Sequence, residues 1–128
     1  MSTFAPLIDD VTAAHKMFGA IATATNEVAV FAYLDRDRRL LAMRHAPSGD
    51  VGSVRLPIRQ VAADALAFGA WALVMAHNHP SGDLRPSDAD VAATRTLDRA
   101  LAALDVRLLD HLVVTRWGVT SFRLMGLL

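Results

Sequence analysis

Ala72-Leu73-Val74-Met75-Ala76 runs directly into His77-Asn78-His79-Pro80-Ser81-Gly82-Asp83, and Pro86-Ser87-Asp88-Ala89-Asp90 follows. The first five residues are short and continuously apolar, the pattern of a strand covered on both faces. The next seven form a dense cluster of turn formers. Over residues 88–104, Val91, Thr94, Leu97, Leu101 and Leu104 recur at three or four residues, which predicts an amphipathic helix. The stretch therefore reads strand, turn, helix.

The same reading extends outward. Residues 58–69 read as a second helix with Val61, Ala62, Ala65 and Leu66 on its buried side. Residues 28–34 and 39–43 read as a hairpin around the polar turn Asp35-Arg36-Asp37-Arg38, and residues 45–52 as a loop. Leu7, Val11, Ala14, Phe18 and Ile21 predict a helix over residues 6–23. Downstream, residues 106–114 and 119–122 read as strands joined through Arg116-Trp117-Gly118. Strands alternate with helices, so the class is α/β or α+β, with helices covering a mixed sheet.

The chain has 128 residues, which fits one domain spanning 1–128, with a helical segment over 1–24 and the core over 25–128. Apolar residues make up 53%, which excludes disorder and leaves room for a homodimer face. Thirteen basic residues balance thirteen acidic ones, so strong independent binding to nucleic acid is not expected. There is no cysteine, which excludes disulfide scaffolds, thiol catalysis and cysteine-held zinc. The amino-terminus meets Asp9 and Asp10 early and has no basic leader. The longest uncharged apolar run, residues 65–76, is too short for a membrane helix. The expectation is a cytoplasmic protein.

The chemistry is concentrated between residues 76 and 90. In an extended segment His77 and His79 point to the same side. Ser87-x-x-Asp90 resembles a capping box that puts Asp90 in the first helical turn, although such a box ordinarily ends in Glu or Gln. A turn over residues 80–83 could fold that helix start back over the strand end. Two imidazoles and one carboxylate would then share a cation, and three N/O ligands with one open position describe a catalytic zinc site. Such a site needs a base. The only glutamate, Glu27, precedes the first strand, within reach if that strand lies beside residues 72–76. The plainer alternatives are a dipole-facing Asp90, a simple cap at Ser87 and a solvated Glu27. Asp110-His111, inside an apolar strand, reads equally well as a pair orienting a ligand or as a structural pair.

His77-x-His79-Pro80-x7-Ser87-x2-Asp90 with upstream Glu27 resembles the metalloprotease signature of the JAB/MPN (JAMM) family. The wording His77-Asn78-His79-Pro80-Ser81-Gly82-Asp83, with Leu109-Asp110-His111-Leu112 and Ser121-Phe122, is similar to its RadC-type bacterial branch. Two features depart from that branch. Only a short stretch precedes Glu27 where a helix–hairpin–helix segment is usual, and Gln60 stands where Glu is common. The resemblance implies a mixed β-sheet flanked by helices in a three-layer, cytidine-deaminase-like architecture. It implies Zn2+ on His77, His79 and Asp90, with a water at the fourth position. It further implies Glu27 as the base that takes the water's proton and Ser87 as donor to the oxyanion. The function so implied is a metallopeptidase or isopeptidase acting on a peptide or protein. A catalytically silent metal-binding module and an accessory protein in DNA transactions are the alternatives. Zinc deaminases need a Pro-Cys-x-x-Cys pair that a cysteine-free chain lacks, and an amidohydrolase barrel needs ~250 residues.

Overall fold

The computed structural model describes residues 16–47 and 56–128. Leu7, Val11 and Ala14 of the expected first helix, His15, and most of the expected 45–52 loop lie outside the described residues.

Among the described residues five strands form one sheet, in the order β2-β1-β3-β4-β5. They are β1 (Val28–Leu34), β2 (Leu40–Pro47), β3 (Ala72–Asn78), β4 (Arg107–Thr115) and β5 (Gly118–Ser121). Helix α1 (Ile58–Phe68) joins β2 to β3, and α2 (Asp88–Ala102) joins β3 to β4. The sheet is mixed: β3 and β4 are parallel and every other pairing is antiparallel. A parallel neighbour requires a crossover, which α2 supplies.

Every residue of β3 is buried, as its unbroken apolar run implies. Strand alternation sorts the core into two layers. Val30, Ala32, Leu34, Val74, Ala76, Leu112 and Val114 meet Phe18 and Ile21 on one face. Phe31, Tyr33, Leu73, Met75 and Leu108 meet Val61 and Ala65 of α1 and Leu97 and Leu101 of α2 on the other. Both long helices therefore cover one face, and the amino-terminal segment covers the other. No helix among the described residues is long and apolar enough to cross a membrane.

Some local expectations need correction. His77 and Asn78 continue β3 and are not part of the turn. Strand β2 extends to Pro47, so His45 lies in an edge strand rather than a loop. Pairing with β1, from Leu34↔Leu40 to Val28↔Pro47, carries a segment poor in strand formers. The described end of the first helical segment tightens into a 3-10 turn, Gly19–Ile21, and stops there. Gly69, at φ +64°, ends α1 in the left-handed conformation, with the Ala70 N–H donating to the Ala65 carbonyl at 2.9 Å.

Leu66, expected on the buried side of α1, is 62% exposed. The buried stripe is Val61, Asp64 and Ala65. Asp64 is tolerated there because its carboxylate is fully engaged. Arg44 of β2 donates through Nε and, at 3.0 Å, through Nη2. Gln60 Nε2 donates at 2.9 Å and the Tyr33 hydroxyl at 3.0 Å. The Arg44 hydrogen bonds hold the Asp64 carboxyl below its ordinary range.

Burial, reinforced by the adjacent Asp64, pushes the Tyr33 phenol well above its ordinary value. A folded-state value above the unfolded ~10 means that this contribution is complete below pH ~10 and fades as pH rises from there through the raised folded-state value. The loss should run at about 1.4 kcal/mol per pH unit across that window. We expect Tyr33→Phe to cost about 1 kcal/mol at neutral pH and to flatten the alkaline limb of a urea-midpoint-versus-pH curve. Parallel alkaline limbs in the two proteins would remove Tyr33 as its source.

Candidate metal centre

The site forms where the carboxyl end of β3 meets the amino end of α2. Alternation turns His77 to the helix-covered face, where it is fully buried. His79 follows the strand end. Its backbone N–H donates to the Val114 carbonyl at 3.2 Å, and its carbonyl accepts the Gly82 N–H at 2.9 Å. Gly82 has φ +85°, and a Cβ there would stand 3.1 Å from the Trp117 indole, so the turn depends on glycine at this place. The turn brings the Asp83 carbonyl within 2.7 Å of His79 Nδ1. Asp83 is itself held by Arg85, whose hydrogen bonds depress its carboxyl to about 2.

Ser87 is the N-cap of α2, and the capping box closes with aspartate in place of the usual Glu or Gln. Ser87 Oγ accepts the Asp90 N–H at 3.0 Å, and Asp90 Oδ2 accepts the Ser87 N–H at 2.8 Å. This pairing fixes the Asp90 carboxylate at the helix start, 2% exposed, against both imidazoles.

Three candidate ligand residues converge. His77 Nε2 and His79 Nε2 are 2.9 Å apart, His79 Nε2 lies 3.2 Å from Asp90 Oδ2, and His77 Nε2 lies 3.5 Å from Asp90 Oδ1. The opposite ring atoms are already committed. A carbonyl only accepts, so His79 Nδ1 carries the proton that goes to Asp83. Thr94 donates its one hydroxyl proton to the Asp90 carbonyl at 2.6 Å. It must therefore accept from His111 Nδ1, also at 2.6 Å. Burial drives His111 well below its ordinary value, so the ring is neutral and Nε2 is an acceptor. That acceptor takes the His77 Nδ1 proton at 2.6 Å. Both Nε2 lone pairs consequently face each other and a carboxylate, an arrangement that a cation or a proton must neutralise.

The three residues could hold a metal ion. Tetrahedral ligation with metal–donor bonds of ~2.0–2.1 Å separates donors by roughly 3.3–3.4 Å, within the observed 2.9–3.5 Å. Burial would raise the Asp90 carboxyl, but its contacts with the two imidazoles and the hydrogen bond from the Ser87 N–H outweigh burial and hold the group far below its ordinary range. The His79 imidazole is pulled upward, chiefly by Asp90, and also by the Asp83 carbonyl and the charge of Glu27.

A family model described as the RadC-like JAB domain matches residues 8–127. The chain belongs to the RadC-like JAB family. A UPF0758 protein of Methylibium petroleiphilum is 45% identical over 108 residues, covering 84% of this chain and 49% of the relative. UPF0758 proteins of Ralstonia nicotianae (45% over 96 residues, 75% of this chain and 43% of the relative) and Neisseria meningitidis serogroup C (42% over 102 residues, 80% and 45%) are similar. This RadC-like JAB chain thus spans less than half the length of these curated relatives. Of the five residues singled out by the motif, His77, His79, Asp90 and Ser87 meet directly. Glu27 is half-buried one residue before β1, and its charge reaches His79.

The partners of His77 were not fully legible in the motif. Thr94 reads from periodicity only as an inward position. His111 reaches His77 because β4 carries an extra residue: Leu73 pairs with Leu108, but Val74 pairs with Asp110. That bulge at Leu109 flips every later side chain, placing His111 on the His77 face. Asp110 departs in another direction, binding the Ser121 hydroxyl and, at 3.0 Å, the Arg123 N–H. We expect His111→Phe or Thr94→Val to weaken metal affinity by ~10–100-fold, as loss of an orienting partner does elsewhere. Calorimetric titration showing unchanged affinity in both variants would reduce the Thr94–His111–His77 hydrogen bonds to packing.

Proposed function

We propose that this chain is the hydrolytic core of a zinc-dependent metallopeptidase or isopeptidase, which cleaves an amide bond in a peptide or protein. One observation carries the reading. Two imidazole lone pairs and a buried carboxylate share one point, while the opposite nitrogen of each ring is pinned as a donor. Two histidines and a carboxylate without any thiolate suit zinc, and His77, His79 and Asp90 would hold it. When bound, zinc polarises a carbonyl and lowers the pKa of a coordinated water from ~15.7 toward ~7.

The remaining work falls to the chain's own residues. Glu27 takes the proton of the attacking water and returns it to the leaving amine. Ser87 Oγ already accepts from the Asp90 N–H, and its hydroxyl proton stays available for the developing oxyanion. Such a contact contributes roughly 3 kcal/mol in other enzymes. The amino end of α2 adds partial positive charge at the same place. Zero net charge supports a protein or peptide partner over duplex DNA.

The test is cleavage of a proteome-derived peptide library by the zinc-loaded chain, read as new amino-termini by mass spectrometry. We expect termini that vanish with a chelator and in Glu27→Gln. Full zinc content with no new termini would favour a metal-holding interaction module without turnover.

A further inference from the structure

Between the two histidines stands a residue that the mechanism above does not use. Asn78 is fully buried, and alternation turns its side chain to the opposite face from His77. There its Oδ1 accepts the Val28 N–H at 2.7 Å, and its Nδ2 donates to the Asn26 carbonyl at 2.9 Å and the Ala24 carbonyl at 3.3 Å. These bonds bracket Glu27 on both sides. They also begin where the backbone ladder stops, because the last β1–β3 pair at this end is Ala29↔His77. The side-chain amide continues the sheet in place of a peptide group and fixes how the chain leaves β1.

We propose that Asn78 is the positioning residue for Glu27, an inference that rests on the reading of Glu27 as the base. The bonding pattern demands an amide of this length. Two carbonyls need donors and one N–H needs an acceptor. Aspartate has no donor, serine has one, and glutamine is a methylene longer. One strand thus aims a ligand at α2 with His77 and a clamp at the Glu27 segment with the next residue.

Glu27 is the only glutamate in the chain, so 13C-glutamate labelling gives one carboxylate resonance. In the wild-type chain we expect zinc to displace that resonance. Asn78→Ala, and the isosteric Asn78→Asp that guards against a cavity, should bind one zinc per chain with affinity within about threefold of wild type. Both should lose most of the displacement. Peptide hydrolysis should fall ~10²-fold in kcat with little change in KM, the cost of a base displaced by about 1 Å. Adding Asn78→Ala to Glu27→Gln should cost nothing further.

A wild-type displacement retained in both Asn78 variants overturns the inference and leaves Glu27 in place. A wild-type resonance that ignores zinc removes Glu27 from the site, and Asn78 with it. If no variant or wild-type sample hydrolyses peptide, the resonance still decides between these two outcomes.

Discussion

Asp90→Asn should abolish stoichiometric zinc binding while leaving the fold intact. Asparagine matches aspartate in shape, and its Oδ1 can still accept the Ser87 N–H that closes the helix cap at 2.8 Å. The substitution removes charge and one ligand. What remains is two neutral Nε2 atoms 2.9 Å apart beside a neutral amide, too weak a set for a dication. Loss of an outer partner costs ~10–100-fold in affinity, so loss of a ligand must exceed that. Excess zinc stabilises a protein that binds it only when folded, by about 2.7 kcal/mol at a hundredfold excess over Kd. For a domain of this size that is a shift of several degrees in Tm. We expect the shift in wild type and none in Asp90→Asn, with unchanged far-ultraviolet circular dichroism. His77→Ala should also lose the metal, but it opens a cavity and strands His111 Nε2, so the asparagine variant is the cleaner probe. Retention of one zinc per chain by both variants would sink the ligand set.

Why the triad was legible in the chain, and its supports were not, follows from range. His77 and His79 share a side by strand periodicity, and Ser87 and Asp90 meet through a cap three residues long. These are local relations, and a continuous apolar run next to them marks the strand that holds them. His111, Thr94 and Asn78 act across elements 17 to 54 residues apart in sequence. Their contacts depend on which strands pair, and in the case of His111 on a single extra residue in β4. Simple alternation along β4 from Leu108 would put His111 on the wrong face. Asp64 teaches the same lesson in α1. Periodicity favours Leu66 for the core, but Arg44, Gln60 and Tyr33 together make a buried carboxylate acceptable there. Polar residues that are buried for their partners escape a reading based on hydrophobicity.

Glu27→Gln should leave zinc content unchanged and reduce hydrolysis by ~10²–10⁴-fold, the range that a positioned acid–base group contributes. Glutamine keeps the length and the hydrogen-bonding oxygen, so the segment held by Asn78 stays in place and KM should move little. It cannot accept a full proton, so the loss falls on kcat. The separation from the ligand variants is the informative part. Asp90→Asn should remove the metal and activity together, whereas Glu27→Gln should remove only activity. This division follows from where each residue sits: Asp90 contacts both imidazoles, while Glu27 lies on the β1 side and acts on His79 through its charge. Loss of that charge should slightly weaken metal binding, since a nearby carboxylate favours a cation, but by far less than loss of a ligand. Two results would count against the assignment. Normal turnover in Glu27→Gln would mean that another group takes the proton. Loss of zinc in that variant would recast Glu27 as part of the metal-holding set.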